Sequence, residues 1–138
     1  MSTSQSDILT AQKNGVVGIN SISTSMNILQ SLASAVKMGQ AAMTTSYATI
    51  YTVPNTSTAV LHDIEVCNTT ASAIGIYVSI VPVNGTAGSS NSIFFNANLP
   101  GYSTMQWTGS IAMTFGMTIQ VKASASGCTV TASGGLIA

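Results

Sequence analysis

His62, Asp63 and Glu65 place three of the few titratable side chains of this sequence within four residues. A histidine oriented by a carboxylate is the pair that activates a serine nucleophile in hydrolases. The residues around them alternate as in a β-strand, and adjacent strand residues point to opposite faces. Asp63 therefore cannot orient the His62 ring, and we expect His62 to be catalytically silent.

Asp63, Glu65 and Cys67 share one face of the same predicted strand. Their carboxylates could offer oxygen atoms to Ca²⁺, but that ion needs about six to eight oxygen ligands. Two carboxylates are too few. The pattern predicts a solvated or subunit-facing strand surface, with no metal site and no cofactor.

The scarcity of charge excludes several classes of function. Charged residues make up 4% of the 138 residues, and the formal net charge is zero. Without a basic cluster the chain cannot neutralise a row of phosphates, so we expect no binding to nucleic acid. Few titratable groups also disfavour catalysis. Because a neutral, uncharged surface promotes self-association, we predict a non-enzymatic subunit of an assembly.

The sequence carries no pattern typical of membrane insertion or secretion. No stretch reaches the roughly 18 apolar residues of a membrane span. The first residues lack the positive and apolar regions of a secretory signal. We therefore expect synthesis in a reducing cytoplasm, no membrane partner, and buried free thiols at Cys67 and Cys128. A disulfide between these two cysteines is the alternative.

Residues 1–45 are predicted to form an N-terminal arm and an amphipathic helix that anchors the protein. Apolar residues recur at the 3-4 spacing of a coiled-coil seam, which predicts an oligomer interface. The seam residues are Ile19, Ile22, Met26, Leu29, Ala33 and Val36. Isoleucine at both kinds of seam position favours three helices, hence a homotrimer. A helix that lies on its own domain is the alternative.

Residues 46–138 are predicted to form a mainly β domain, an antiparallel β-sandwich or jelly roll. Seven or eight short alternating segments, among them residues 74–81 and 118–123, are separated by turn residues, with no helical pattern between them. The segments 103–107 and 110–114 are predicted as separate strands because Gly109 lies between them. Gly134 and Gly135 are also predicted to form a turn.

The aromatic residues fall mostly inside predicted strands, where core packing is the default. An exposed tyrosine or Trp107 would instead join a sugar-binding or partner-binding surface, and the Ser/Thr-rich exterior would suit carbohydrate. Three N-x-[ST] sequons begin at predicted loop positions, Asn55, Asn68 and Asn84. Chance predicts about as many in so Ser/Thr-rich a chain, so they are no evidence of glycosylation.

Several segments resemble small β-sandwich structural proteins of tailed bacteriophages. Residues 47–70 begin Tyr-Ala-Thr-Ile-Tyr-Thr-Val-Pro and end Ile-Glu-Val-Cys-Asn-Thr-Thr, and residues 115–124 read Phe-Gly-Met-Thr-Ile-Gln-Val-Lys-Ala-Ser. Residues 99–102, Leu-Pro-Gly-Tyr, belong to the same pattern. The segment Asp-Ile-Leu-Thr-Ala-Gln-Lys-Asn-Gly, residues 7–15, is similar to the leader of virion proteins that attach through a short helical arm.

The resemblance implies a location in the virion and a structural role. More specifically, the resemblance implies a trimeric capsid decoration, cement or head-fibre protein that binds the major capsid protein. A neck, collar or tail-fibre component is the alternative in the same class. A carbohydrate-binding module that contacts a host glycan is the alternative from a different class.

Overall fold

A computed structural model describes residues 33–137, which form eight β-strands and one turn of 3-10 helix at Ser89–Asn91. The strands are β1 Ala33–Ala42, β2 Ala48–Thr52, β3 Thr58–Asn68, β4 Ile74–Val81, β5 Ser92–Leu99, β6 Thr104–Met113, β7 Thr118–Ala123 and β8 Cys128–Ile137. In this part of the chain no helix has the length and apolar character needed to span a membrane.

The strands form two four-stranded antiparallel sheets. Sheet A has the order β1-β8-β3-β6, and sheet B has the order β2-β7-β4-β5. The first strand therefore neighbours the last, the second neighbours the seventh, the third the sixth and the fourth the fifth. This nesting of pairs is the jelly-roll arrangement of two packed sheets. The predicted antiparallel β-sandwich is confirmed, but only seven of its strands lie in residues 46–137, and β1 lies in the segment predicted to be helical.

The core lies between the inner faces of the two sheets. Alternate residues of each strand are buried, as in the pattern of β3, because successive strand side chains point to opposite faces. The largest fully buried side chains include Leu61, Ile64, Val66, Met113 and Val130 of sheet A and Ile76, Val78, Ile119 and Val121 of sheet B. Burial of each such side chain contributes about 1.5–3 kcal/mol to stability.

Strand β1 corrects the predicted helix at its C-terminal end. Ala33 and Val36, the last two residues of the predicted seam, lie in a strand beside β8 rather than in a helix. Val36 and Met38 pack against the core. Their spacing of two residues fits a strand, and the long-range pairing with β8 decides between the two patterns. The preceding segment, residues 1–32, lies outside the described residues.

The predicted domain boundary is displaced for the same reason. The division between residues 45 and 46 falls between β1 and β2, and both are strands of the sandwich. The sandwich therefore includes the chain from Ala33 onward. The seam residues Ile19, Ile22, Met26 and Leu29 precede it and belong to the part of the chain that the structure does not describe.

Two predicted turns at glycines are wrong. Strand β6 is continuous through Gly109, and its register against β3 contains an extra residue there, which is a β-bulge. Gly134 lies inside β8. A Cβ atom at this position would collide with the carbonyl oxygen of Val60 and stand 3.0 Å from the Met38 sulfur. Gly134 therefore permits close packing of β8 against its neighbours.

Asn68 closes β3 as a buried polar residue instead of lying in a loop. Its Nδ2 donates to the carbonyl oxygens of Ser72 at 2.8 Å, Leu99 at 3.2 Å and Pro100 at 3.2 Å. Its Oδ1 accepts from the backbone N–H and the hydroxyl of Thr70, at 2.9 and 2.7 Å. One amide thus joins the β3–β4 connection to the β5–β6 connection.

We expect Asn68→Ala to lower the free energy of unfolding by about 2–3 kcal/mol, because the hydrogen bonds of a buried amide to two connections are lost. Urea denaturation followed by tryptophan fluorescence measures this loss. Asn98→Ala is the control, since Asn98 is exposed in β5, and it should change stability by less than about 0.5 kcal/mol. Equal losses in the two variants would contradict the linking role of Asn68.

Candidate binding surfaces on the outer faces of the sheets

The outer face of sheet A carries the acidic residues that the sequence places on one strand face. Gln106 of β6 bridges them, because its Nε2 donates to Asp63 Oδ1 at 2.9 Å and to Glu65 Oε1 at 3.2 Å. Cys67 is exposed further along the same face. Over residues 33–137 no three His, Cys, Asp or Glu side chains come together in a group that could hold a metal ion.

His62 occupies a bulge of β3, one extra residue against β8. Its Nδ1 lies 3.0 Å from the carbonyl oxygen of Gly109 and 3.4 Å from the hydroxyl oxygen of Ser110. A carbonyl oxygen only accepts hydrogen bonds, so the Gly109 contact requires the proton on Nδ1. The backbone of β6 thus orients the ring.

A shallow groove of about 430 Å³ lies beside His62 on the outer side of sheet A. Its lining residues are Ala35, Val36, Lys37, His62, Thr131, Ser133 and Gly134. The polar groups there are an ammonium, an imidazole and two hydroxyls. They can hydrogen-bond a ligand, but the groove is open and offers little enclosed surface compared with a small-molecule site.

The edge strand β5 of sheet B contains a bulge that alters the outer face of this sheet. In the register between β4 and β5, two residues of β5, Phe95 and Asn96, lie opposite the single residue Tyr77. Asn96 adopts a left-handed conformation with φ of 51°. As a result Phe94 packs against the core, whereas Phe95 turns outward with 56% of its surface exposed. Bulges of this kind re-aim side chains, often beside functional sites.

Phe95 belongs to an aromatic cluster that also holds a cation. The ring centroids of Phe95 and Tyr77 are 5.2 Å apart, and those of Tyr77 and Tyr47 are 6.3 Å apart, both edge to face. Lys122 Nζ lies 4.2 Å from the Tyr77 centroid and 5.0 Å from the Tyr47 centroid. These distances are within the range of cation–π attraction. We call Tyr47, Tyr77, Phe95, Asn96 and Lys122 the aromatic face.

Polar groups flank the aromatic face where a glycine leaves room. The Asn96 side chain lies over Gly75, in the space that a Cβ atom at this position would fill. The backbone N–H of Gly75 donates to the Ser124 hydroxyl at 2.8 Å. An amide and a hydroxyl therefore stand at the edge of the aromatic cluster.

Charge is divided between the two outer faces. Asp63 and Glu65, the only acidic residues between positions 33 and 137, lie on the outer face of sheet A. Lys122 lies in β7 on the outer face of sheet B. Within the described range, the Lys122 ammonium has no carboxylate partner on its own sheet.

The sequence did not identify the aromatic face as a unit. Trp107, named there as an alternative binding residue, pairs with Ile64 and packs against the core. The available signal was the adjacent pair Phe94 and Phe95, because two consecutive large apolar residues break strand alternation and are typical of a bulge.

Another exposed apolar surface lies at the loop end of the sandwich. Val83 is 53% exposed in the β4–β5 connection, and Phe115 is 55% exposed in the β6–β7 connection. The two loops meet at Gly116, where a Cβ atom would stand 2.8 Å from a Val83 methyl group. We call Val83 and Phe115 the loop-end patch.

Both cysteines are free, and they differ in exposure. Cys67 pairs with Thr129, the neighbour of Cys128, so the two cysteine side chains point to opposite faces of sheet A. The prediction of free thiols is confirmed, but Cys67 is exposed rather than buried. Burial raises the pKa of the Cys128 thiol, and the nearby Cys67 raises it further.

We expect one thiol per native chain to react with Ellman's reagent near pH 8, because Cys67 is exposed to the reagent, whereas Cys128 is buried and burial raises its pKa. Unfolding in guanidinium should release the second thiol. Cys67→Ser should remove the native reaction, and the matched Cys128→Ser should leave it intact. Two thiols reacting at equal rates in the native protein would contradict the assigned positions.

The sequence matches no protein-family model and no curated protein. Weakly similar solved structures include the infectious bursal disease virus VP2 subviral particle, at 12% identity and a TM-score of 0.45 over 75% of this chain. The Gx strain structure of the same virus is similar at 13% identity, with a TM-score of 0.45 and 75% of this chain covered. This chain spans only 31% of each of those viral chains.

A third similar structure is the Drosophila NLP core, whose structure concerns pentamer formation and histone binding. It matches at 14% identity and a TM-score of 0.44, over 72% of this chain and 96% of that chain. The neighbours thus include viral capsid proteins with weak structural similarity. At this level of similarity they do not assign a function to the chain.

Proposed function

We propose that this chain is a non-enzymatic structural protein of a tailed-phage virion, which decorates the head as a trimer bound to the major capsid protein. The observation that carries the proposal is the composition of the sandwich exterior. Its charged side chains are only Lys37, Asp63, Glu65 and Lys122. Ordinary domains cover about a quarter or more of their surface with charge to stay apart in solution. A neutral hydroxyl and amide surface suits lasting protein contacts.

Exposed apolar side chains support the same proposal. The loop-end patch, Val83 and Phe115, presents two half-exposed apolar groups at one end of the sandwich. Tyr102, in the β5–β6 connection at the opposite end, is 74% exposed. Aromatic anchors of this kind are enriched in protein interfaces. In the proposed virion, the loop-end patch packs against the capsid or a neighbouring subunit.

Viral capsid proteins and lectins both use the jelly-roll fold, so the fold alone does not distinguish a structural role from saccharide binding. The resemblance of residues 47–70 and 115–124 to phage structural proteins favours the virion class. A neck, collar or tail-fibre component is the alternative within that class. The proposed role implies that the protein is made in the host cytoplasm. It also implies that His62 takes no part in catalysis.

The trimer is proposed from the sequence of the N-terminal segment. Since Ala33 and Val36 belong to β1, the seam consists of Ile19, Ile22, Met26 and Leu29. Poor helix formers surround these residues, so a helix there depends on packing against other chains.

We expect the parent protein to have the mass of a trimer by native mass spectrometry, and Leu29→Asp to shift it to monomer. Three carboxylates at one axis would each lose water without gaining a partner. Ser31→Asp, which adds the same charge off the seam, should remain trimeric. A monomeric parent, or a trimeric Leu29→Asp variant, would show that the seam does not assemble the protein.

Particles that lack this protein should release DNA at a lower temperature than complete particles, because a decoration protein adds contacts across the capsid surface. Release is measured with a DNA-binding dye during heating, and purified protein added back should restore the parent temperature. Phe115→Asp should weaken binding to particles, whereas His62→Gln should bind within a few-fold of the parent. Identical release temperatures with and without the protein would argue against decoration.

A further inference from the structure

We propose that the aromatic face is a binding site for a carboxylated saccharide. The site is Tyr47, Tyr77, Phe95, Asn96 and Lys122 on the outer face of sheet B. This inference does not rest on the proposed virion role, because it concerns a different face from the loop-end patch and can be tested on the isolated protein.

Phe95 supplies the stacking surface. The apolar C–H face of a pyranose packs on an aromatic ring, since both remove apolar area from water. Phe95 is 56% exposed, and its ring makes an edge-to-face contact with Tyr77 beside the bulge at Asn96. A ring that is already oriented loses little conformational freedom when a ligand stacks on it.

Lys122 selects for a carboxylate. Its ammonium is held over the rings of Tyr77 and Tyr47, and the acidic residues of the described chain lie on the other sheet. A ligand carboxylate would form the charge-assisted hydrogen bond that the protein itself does not provide there. Lys122 Nζ and the Phe95 ring lie 4.2 and 5.2 Å from the Tyr77 centroid, so one or two sugar rings can contact both.

Asn96 and Ser124 supply groups for sugar hydroxyls. The Asn96 amide lies over Gly75 beside the aromatic cluster, and the Ser124 hydroxyl stands next to it. An amide offers both donors and acceptors, which matches a hydroxyl that does the same. The left-handed backbone at Asn96, within the bulge, places this amide on the outer face. Stacking surface, cation and amide together fit a ligand with C–H faces, hydroxyls and a carboxylate.

Two tetrasaccharides that differ only at C6 provide the probe, β-1,4-linked tetraglucuronate with a carboxylate and cellotetraose with a hydroxymethyl group. Isothermal titration of the full-length protein should show tetraglucuronate binding about tenfold more tightly than cellotetraose at low salt, because one charge-assisted hydrogen bond is added. The preference should shrink at high salt, since the charge pair is exposed to solvent.

Variants of exposed residues separate the contributions. Phe95→Ala should weaken binding of tetraglucuronate about tenfold, through loss of stacking. Lys122→Gln should remove the preference over cellotetraose, and Lys122→Arg should keep it. Phe115→Ala and Lys37→Gln are the matched controls, because Phe115 is 55% exposed at the loop end and Lys37 is exposed on β1. Both controls should bind like the parent.

Absence of tetraglucuronate binding by the folded parent, equal binding of the two tetrasaccharides, or parent-like affinity in Phe95→Ala would each overturn the proposal. If the parent binds neither saccharide and Phe95→Ala instead lowers binding to phage particles, the aromatic face is a protein contact. If the parent protein binds tetraglucuronate but does not bind phage particles, only the virion role is overturned.

Discussion

Packing between the inner faces of the two sheets is the interaction on which the rest of the structure depends. Only four charged side chains occupy residues 33–137, so ion pairs contribute little, and burial of apolar surface is the main source of stability. The core has contributors from both sheets, such as Leu61 and Ile64 of sheet A and Ile76 and Val121 of sheet B. Because side chains alternate along a strand, the residues that pack in the core also determine which residues of a regular strand point outward.

Bulges let the outer faces depart from this alternation without disturbing the core. His62 is the extra residue of one bulge, and its Nδ1 donates a hydrogen bond to the carbonyl oxygen of Gly109. This backbone contact orients the imidazole ring. At Phe95 and Asn96 the extra residue puts two side chains outward beside Tyr77. The bulge at His62 leaves an imidazole that contacts the backbone of β6, whereas the bulge at Phe95 leaves an aromatic side chain exposed. This difference is the reason for placing the binding site on sheet B.

Sequence alternation predicted the strands that are bounded by clear turns. The predicted bounds of β4 and β7, Ile74–Val81 and Thr118–Ala123, agree with the structure. Strand β1 was not predicted, because its Ala, Ser and Gly residues give weak alternation and its pairing partner, β8, lies at the other end of the chain. Gly109 and Gly134 were assigned to turns because a sequence does not distinguish a turn from a bulge or a close approach of strands.

The surfaces were harder to predict than the strands. Asp63, Glu65 and Cys67 were placed on one face from their spacing alone, and the structure confirms it. The aromatic face needs the register of β4 against both β5 and β7, since Tyr77, Phe95 and Lys122 come from three different strands. A single sequence does not contain that register. The adjacent residues Phe94 and Phe95 indicate the bulge, but they do not indicate that Tyr77 and Lys122 lie beside it.

A cryo-electron microscopy reconstruction of virus particles purified from a lysate that contains this chain tests the proposed virion role most directly. The predicted result is eight-stranded jelly-roll density in threefold-related copies on the outside of the capsid, with the loop-end patch in contact and the aromatic face turned to solvent. Purified particles with no such density on the head, while the protein remains in the unassembled fraction of the lysate, would contradict that role.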